Sequence, residues 1–161
     1  MKDFLVLFRN LTALIVIIWI LFNFVIGVTI AENDDMRPGI RAGDVLICYR
    51  LDKKPVLREL IIFKKNGHEY AGRVVAAGGD KVELDENSGL MVNDNVVSEE
   101  GILGRTYAFE GSVVYPLVLE KNEYFVLCDR RDDSEDSRLY GPVNTNETVG
   151  TVISLYRKGS I

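Results

Sequence analysis

An uncharged apolar run near the N-terminus is the longest hydrophobic feature of the chain. It extends from Leu11 to Ile30, 20 residues without a charged side chain. As an α-helix it would measure about 30 Å, the thickness of the hydrocarbon layer of a bilayer. A buried core helix of this length normally has a polar face, and this run has none. The pattern predicts a transmembrane anchor at residues 11–31, in contact with lipid through residues 11–30, after a short segment at residues 1–10.

The charges on the two sides of the run predict its orientation. Lys2 and Arg9 precede it, whereas Glu32 and Asp35 follow it. Because positively charged flanks stay in the cytoplasm, we expect a cytoplasmic N-terminus and an extracytoplasmic domain at residues 32–161. The alternative is a cleaved secretory signal, although the apolar run is long for one.

Beyond the run, short apolar stretches separated by Gly, Asn and Asp predict strands. No amphipathic pattern of ten or more residues follows residue 31, and Lys-Asn-Gly at 65–67 indicates a hairpin turn. Many short strands with polar turns are typical of a mainly β domain of small antiparallel sheets. The predicted strands are residues 44–50, 60–64, 70–77, 81–84, 90–97, 113–119, 124–128 and 148–156.

Composition limits the classes of partner and site. The 161 residues leave room for one domain and an anchor, and the formal charge of -5 argues against a nucleic-acid partner. The single histidine, His68, has no metal-ligand spacing around it, so we expect no metal and no cofactor. Cys48 and Cys128 are expected to be buried side chains; a disulfide between them is the alternative, since an extracytoplasmic site permits one.

Four short motifs follow the predicted anchor, at residues 35–39 (Asp-Met-Arg-Pro-Gly), 43–47 (Gly-Asp-Val-Leu-Ile), 72–80 and 128–138. In this order they resemble the signature boxes of the type I signal peptidases, peptidase family S26. The family's boxes read Ser-Met-x-Pro-Thr, Gly-Asp-x-Val, Lys-Arg-Val-x-Gly-x-Pro-Gly-Asp and Gly-Asp-Asn-x-x-x-Ser-x-Asp-Ser-Arg. One such box is weak evidence, but four in order behind an anchor indicate the fold of that family.

The resemblance places the catalytic dyad of the family at two residues that cannot perform its chemistry. The serine nucleophile corresponds to Asp35, and the lysine general base corresponds to Gly72. A serine–lysine dyad works because an apolar pocket lowers the pKa of the lysine, which then accepts the serine proton. Glycine has no side chain to accept a proton, and a carboxylate that attacked an amide would be expelled again. We therefore expect no catalytic residue of the family's kind.

Other groups in the boxes leave a peptidase with non-standard residues as the alternative. Asp129 beside Asp35 would give two carboxylates that share a proton and activate water, although such a pair needs a buried, symmetric site. Cys128 has no evident partner base. Neither Ser134 nor Ser137 is placed by the motifs beside a lysine or a histidine.

The resemblance also implies a peptide-binding cleft and a structural charge cluster. Pro38 disfavours the helical region for Arg37, so we expect the first box to be an extended edge that pairs with a peptide. Plain core packing is the alternative for the valines, and a solvated acidic loop is the alternative for the cluster. The expected cleft residues are Asp35, Met36, Pro38, Val45, Val74 and Val75. The expected cluster residues are Arg73, Asp129, Ser134, Asp136 and Arg138.

Loss of the dyad together with retention of the cleft favours a binding protein. Signal-peptidase-like proteins without the dyad assist pilin polymerisation in Gram-positive pilus gene clusters, and the pairing of Asp-Met with Gly-Arg in this chain resembles them. The resemblance thus implies a membrane-tethered, non-catalytic chaperone or assembly factor for secreted surface proteins. Its expected partners are a pilin and a sortase.

Overall fold

The N-terminal helix of this computed structural model is apolar and stands clear of the domain. Helix α1 spans Lys2–Ile20 and continues in a π-helical turn at Leu21–Val25. The stretch Asp3–Val25 is 23 residues long, contains an 18-residue window with a mean hydropathy of 2.4, and buries none of that window. It is long and apolar enough to cross a membrane. The structure describes residues 2–85, 89–98, 100–132 and 134–157; Asp133 of the fourth box and residues 158–161 of the predicted domain lie outside these ranges.

The helix begins and ends earlier than the predicted anchor at residues 11–31. Residues Ile26–Ile30 form strand β1, which pairs antiparallel with strand β2 (Val45–Tyr49). Hydropathy does not separate an apolar helix from an apolar strand, and the β-branched residues near the end of the run favour the extended form. Gly27 permits the close pairing, because a Cβ atom there would lie 2.5 Å from Sγ of Cys48.

The remaining elements are short strands and one helical turn. They are β3 (Leu60–Lys65), β4 (His68–Ala77), β5 (Lys81–Asp85), β6 (Gly89–Val92), β7 (Asn95–Val96), β8 (Leu117–Val118), β9 (Glu123–Leu127), α2 (Ser137–Tyr140), β10 (Val143–Asn144) and β11 (Thr148–Tyr156). One sheet has the order β1-β2-β11-β3-β4-β9-β10 and the other has the order β7-β6-β5-β8. Every strand pair is antiparallel. The predicted mainly β class is confirmed, although the larger sheet has seven strands and is not small.

Turn chemistry accounts for the best-predicted element, the β3–β4 hairpin. Lys65 pairs with His68 across the turn, and Asn66 and Gly67 have the positive φ angles that Asn and Gly tolerate. The strand predicted at 113–119 shrinks to the two residues of β8, because Pro116 has no backbone N–H to donate to a ladder.

The buried side chains form three clusters that fix the positions of the motifs. Met36 of the first box packs with Cys48 and Cys128, and both cysteines are buried free thiols. Val74 of the third box is fully buried in a second cluster with Val126. The third cluster lies where the two sheets meet and contains Ala76, Val82, Leu90, Leu119, Phe125 and Leu127.

Candidate functional site

A cavity of about 740 Å³ lies between the end of β1 and the first half of β4. Strand β1 is at the edge of its sheet, and β4 pairs with β9 only at Arg73–Ala77, so both strands have backbone without a strand partner among the described residues. The cavity is lined by Thr29, Ile30, Ala31, Glu32, Asn33, Asp35, Met36, Ile40, Leu46, Ile62, Asn66, His68, Glu69, Tyr70, Ala71, Glu135 and Tyr140.

The hydrogen-bond pattern shows which backbone groups of β1 and β4 are free. Ala31 uses both its N–H and its C=O on the β2 side, bonding to Asp44 O at 2.9 Å and to Gly43 N at 2.8 Å. Because these directions alternate along a strand, the backbone groups of Ile30 point away from β2. By the same alternation, Ala71 points its groups away from β3, and its carbonyl accepts only a weak thiol contact from Cys128 at 3.8 Å.

The first box is a turn, not the extended edge that the sequence predicted. Arg37 N donates to Asp34 O at 3.1 Å, and Ile40 N donates to Met36 O at 2.9 Å. The Arg37 guanidinium also pairs with the Asp34 carboxylate at 2.9 Å. The Arg37–Pro38 peptide bond within this turn is cis. Since the first box is a turn, the strand edges of the cavity are supplied by β1 and β4.

Asp35, at the position of the family's nucleophile, lines the cavity and is tied to the fourth box. Its carboxylate accepts a hydrogen bond from Asn33 Nδ2 at 2.8 Å, and its carbonyl accepts one from Arg130 N at 2.8 Å. Burial raises the pKa of the Asp35 carboxyl, opposed by the Ser134 hydroxyl that bonds to it and by the nearby charge of Arg130. Asp35 is therefore a half-buried carboxylate whose bonding partners are uncharged.

Gly72, at the position of the family's general base, faces packed core. A Cβ atom there would lie 2.5 Å from Cγ1 of Val126 and 3.4 Å from Cε1 of Phe63. Gly72 is buried and does not line the cavity that contains Asp35. A lysine side chain has no space at this position unless Val126 moves.

The expected cleft residues divide between two cavities and the sheet. Asp35 and Met36 line the first cavity. Pro38, Val74 and Val75 line a second one of about 550 Å³, on the other side of the turn at residues 35–39. Val74 is fully buried. Val45 lines neither cavity, since it lies within β2 between Ile30 of β1 and Tyr156 of β11.

The expected charge cluster consists of two separate bidentate pairs. Arg73 donates to both carboxylate oxygens of Asp129, at 2.8 and 2.6 Å. Arg138 donates to both oxygens of Asp136, at 2.9 Å each, and both side chains are fully buried. Asp136 also caps α2 and accepts a bond from Cys128 N at 3.1 Å. The pairs fix the β4–β9 junction and the loop to α2, and the loop is not a solvated acidic stretch.

The alternative nucleophiles are engaged elsewhere or held inactive. Both oxygens of the Asp129 carboxylate are bonded to Arg73, which leaves no carboxylate pair with Asp35. Burial raises the pKa of the Cys128 thiol well above its usual value, so the reactive thiolate is disfavoured. The Ser134 hydroxyl donates to Arg130 O, and the Ser137 hydroxyl accepts a hydrogen bond from Val126 N at 3.0 Å. In the described ranges no three His, Cys, Asp or Glu side chains are arranged to hold a metal ion.

A tyrosine–glutamate network on the cavity wall was not predicted. The hydroxyls of Tyr70 and Tyr140 lie 3.0 Å apart, and both bond to Oε2 of Glu135, from Tyr70 at 3.1 Å. Burial, followed by the hydrogen bond to Glu135, raises the pKa of Tyr140, so its hydroxyl keeps its proton and holds the carboxylate. Glu135 lies inside the fourth box and Tyr70 lies two residues before the third, but only the fold shows that they meet.

Comparisons with known proteins point to the same family as the four motifs. The family model of the signal peptidases, peptidase S26, matches residues 4–156. Signal peptidase I of Bacillus caldolyticus is 32% identical over 145 residues, which cover 80% of this chain and 78% of the relative. Signal peptidase IB of Staphylococcus aureus is 27% identical over an alignment of 169 positions, which covers 94% of this chain and 88% of the relative.

Two further comparisons concern a longer relative and a solved structure. The probable thylakoidal processing peptidase 2 of Arabidopsis thaliana is 30% identical over 138 residues, 77% of this chain, but the chain spans only 36% of that protein. The crystal structure of a signal peptidase I from Enterococcus faecalis superposes with a TM-score of 0.51 at 26% identity, covering 62% of this chain and 97% of the other.

Proposed function

The chain belongs to the signal peptidase family, peptidase S26, and we propose that it acts there without catalysis, as a membrane-tethered chaperone or assembly factor for secreted surface proteins, pilins in particular. The observation that carries the proposal is the state of the two dyad positions. Asp35 offers a carboxylate where acyl transfer needs a hydroxyl, and the space beside Gly72 is occupied by Val126. A sortase, which would join surface proteins covalently, is the second partner that we propose.

Retention of the cavity supports a binding role. Ile30 on one side and Ala71 on the other direct backbone groups into a space that an extended peptide can occupy as an added strand. Such binding draws on backbone hydrogen bonds, so it survives the loss of a catalytic serine and lysine.

The anchor supports a role beside the membrane. The π-helical turn ends at Val25, and the cavity begins at Thr29, so the binding space lies only a few residues from the apolar helix. We propose that Lys2 and Arg9 keep the N-terminus in the cytoplasm and that the domain lies outside. Tethering would then raise the effective concentration of the domain near a secreted partner as it emerges.

A signal peptidase that cleaves with non-standard residues is the second candidate. It is favoured by the relatives described above, which are named as peptidases. Cleavage of a signal-peptide substrate by the full-length protein, abolished in the Asp35→Ala variant, would establish it and overturn the non-catalytic proposal.

The test of the proposed function is complementation of a deletion strain with full-length variants at matched expression. Ile30→Pro removes the free backbone donor at the cavity without touching the β1–β2 bonds, which use the odd-numbered residues of β1. Val28→Pro makes the same change on the same edge outside the cavity lining. We expect Ile30→Pro to lose surface-protein assembly and Val28→Pro to retain it. Equal assembly by the two variants would show that the cavity is not the working part.

A further inference from the structure

We propose that the peptide held in the first cavity is basic, with a lysine or arginine side chain placed between Asp35 and Glu135. The inference rests on the proposed function, since it names the chemistry of the segment that the cavity binds. It differs from a preference for the small uncharged side chains that the family's pockets take.

The charges of the cavity wall are of one sign. Among the residues that the structure describes, four carboxylates line it, from Glu32, Asp35, Glu69 and Glu135, and no lysine or arginine does. Within this described part of the lining the basic side chain is that of His68, which is counted as neutral in the formal charge at pH 7. A half-enclosed space with this lining concentrates cations and repels anionic segments.

Three of these carboxylates, those of Glu32, Asp35 and Glu135, have no ionic partner among the residues that the structure describes. Glu69 is compensated, because it pairs with Lys64 at 3.2 Å and accepts a bond from Thr29 at 3.2 Å. Asp35 instead accepts a hydrogen bond from an uncharged donor, the amide of Asn33, at 2.8 Å. Arg130 acts on Asp35 only as a nearby charge, without an ion pair.

Glu135, whose backbone lies beside the Asp35 carboxylate, also lacks a counter-charge among the residues that the structure describes. Its carboxylate accepts hydrogen bonds from the hydroxyls of Tyr70 and Tyr140, which fix its position without neutralising it. Its charge raises the pKa of Asp35, so the two carboxylates are near enough to act on each other. A cation between them would relieve this repulsion and form charge-assisted hydrogen bonds with both.

A strand laid in the cavity would also remove water from Asp35 and Glu135. With a small uncharged side chain above them, both carboxylates would lose hydration and gain nothing in return. With an ammonium or guanidinium group, the lost hydration is replaced by direct bonds. The same wall therefore favours a basic segment and disfavours an apolar or acidic one.

The experiment is selection of random nine-residue peptides displayed on phage against the full-length protein in lipid nanodiscs. We expect lysine or arginine to dominate one fixed position of the selected peptides. Enrichment of small apolar residues at every position would overturn the basic preference while leaving peptide binding intact. Equal recovery on the wild type and on Ile30→Pro would overturn peptide binding itself, so the two failures are distinguishable.

Affinity measurements on a selected peptide then locate the contact. Acetylation of its lysine removes the charge and keeps most of the side chain, and we expect this to weaken binding about tenfold or more. The Asp35→Asn/Glu135→Gln variant should bind the charged and the acetylated peptide almost equally. Glu110→Gln, an exposed acid outside the lining, should retain the full preference. A preference that survives in Asp35→Asn/Glu135→Gln would overturn the assignment to these two residues.

Discussion

Val126 occupies the space into which a side chain at position 72 would extend, since a Cβ atom on Gly72 would lie 2.5 Å from its Cγ1. Val126 is β-branched and fully buried, so it has little freedom to turn aside. We expect Gly72→Lys to lower the free energy of unfolding by about 1–3 kcal/mol through overpacking. Gly72→Lys/Val126→Ala should recover most of that loss. Urea denaturation of the full-length protein in detergent measures both, and equal stability of Gly72→Lys and wild type would show that Val126 moves freely.

The direction in which position 72 points decides whether the dyad could be rebuilt. We expect Asp35→Ser alone to stay inactive, because no described lysine or histidine bonds to the side chain at position 35. Asp35→Ser/Gly72→Lys should stay inactive because the lysine is forced out of place. Addition of Val126→Ala removes the clash but leaves the lysine on the side of β4 that packs against Phe63, outside the cavity lined by Asp35, so this triple variant should show no cleavage either. Cleavage is measured on a signal-peptide substrate at equal folded protein. Turnover by Asp35→Ser alone would mean that a base is already in position.

The two aspartate–arginine pairs predict different losses of stability. Asp136→Asn leaves Arg138 fully buried without its counter-ion and weakens the cap of α2, which should cost about 3–5 kcal/mol. Asp129→Asn leaves Arg73, whose side chain is 30% exposed and can turn to water, so the cost should be smaller. Urea unfolding of the two variants in the same detergent compares them. A larger loss in Asp129→Asn would contradict burial as the deciding quantity.

A third arginine–aspartate pair makes the stability of the fold depend on pH in the acid range. Arg157, after β11, bonds to both carboxylate oxygens of Asp44, at 2.9 and 2.5 Å, and to Gly39 O at 2.9 Å. The hydrogen bond from Arg157 holds the pKa of the Asp44 carboxyl below its usual value near 3.8. Because the folded-state pKa is the lower one, this contribution to stability is present above pH 3.8 and is lost as the pH falls through the folded-state value.

The Asp44→Asn variant tests the direction of this pH dependence of stability. Asp44→Asn should be less stable than the wild type at pH 7, and the difference should shrink as the pH falls below about 4. Thermal unfolding from pH 7 to pH 2.5 measures it, and Glu110→Gln serves as an exposed control. A difference that grows toward acid pH would contradict the stabilising role of the ionised carboxylate.

Local patterns predicted the β3–β4 hairpin and most strands, because alternation and turn residues act over a few positions. Strand β1 was missed since apolar residues continue from the helix into it without a break, and hydropathy alone cannot place that boundary. The motifs assigned Asp35 and Gly72 to the dyad positions, but they could not predict that Val126 packs against position 72. The Tyr70, Tyr140 and Glu135 network was beyond sequence reasoning, because it joins residues 65 and 70 positions apart that only the sheet brings together.

The position of β1 determines which shortened forms of the protein will fold. A form that starts at residue 34 lacks Ile26–Ile30, so it loses the five residue pairs that β1 forms with β2 and one wall of the cavity. A form that starts at residue 26 keeps both. We expect 26–161 to unfold cooperatively near the midpoint of the full-length protein, and 34–161 to unfold at a lower urea concentration or to aggregate through the exposed edge of β2.

The forms 26–161 and 34–161 also distinguish an effect of folding on assembly from an effect of membrane tethering. Expressed with a cleavable secretion signal in the deletion strain, 26–161 should bind the selected peptides as the full chain does but assemble surface proteins poorly, because it is no longer held beside the membrane. The full-length chain is the positive control, and 34–161 should fail in both assays. Raising the expression of 26–161 should restore part of the assembly, since a higher bulk concentration replaces the tether. Full assembly by 26–161 at matched expression would show that the helix Asp3–Val25 contributes nothing beyond delivery to the outside.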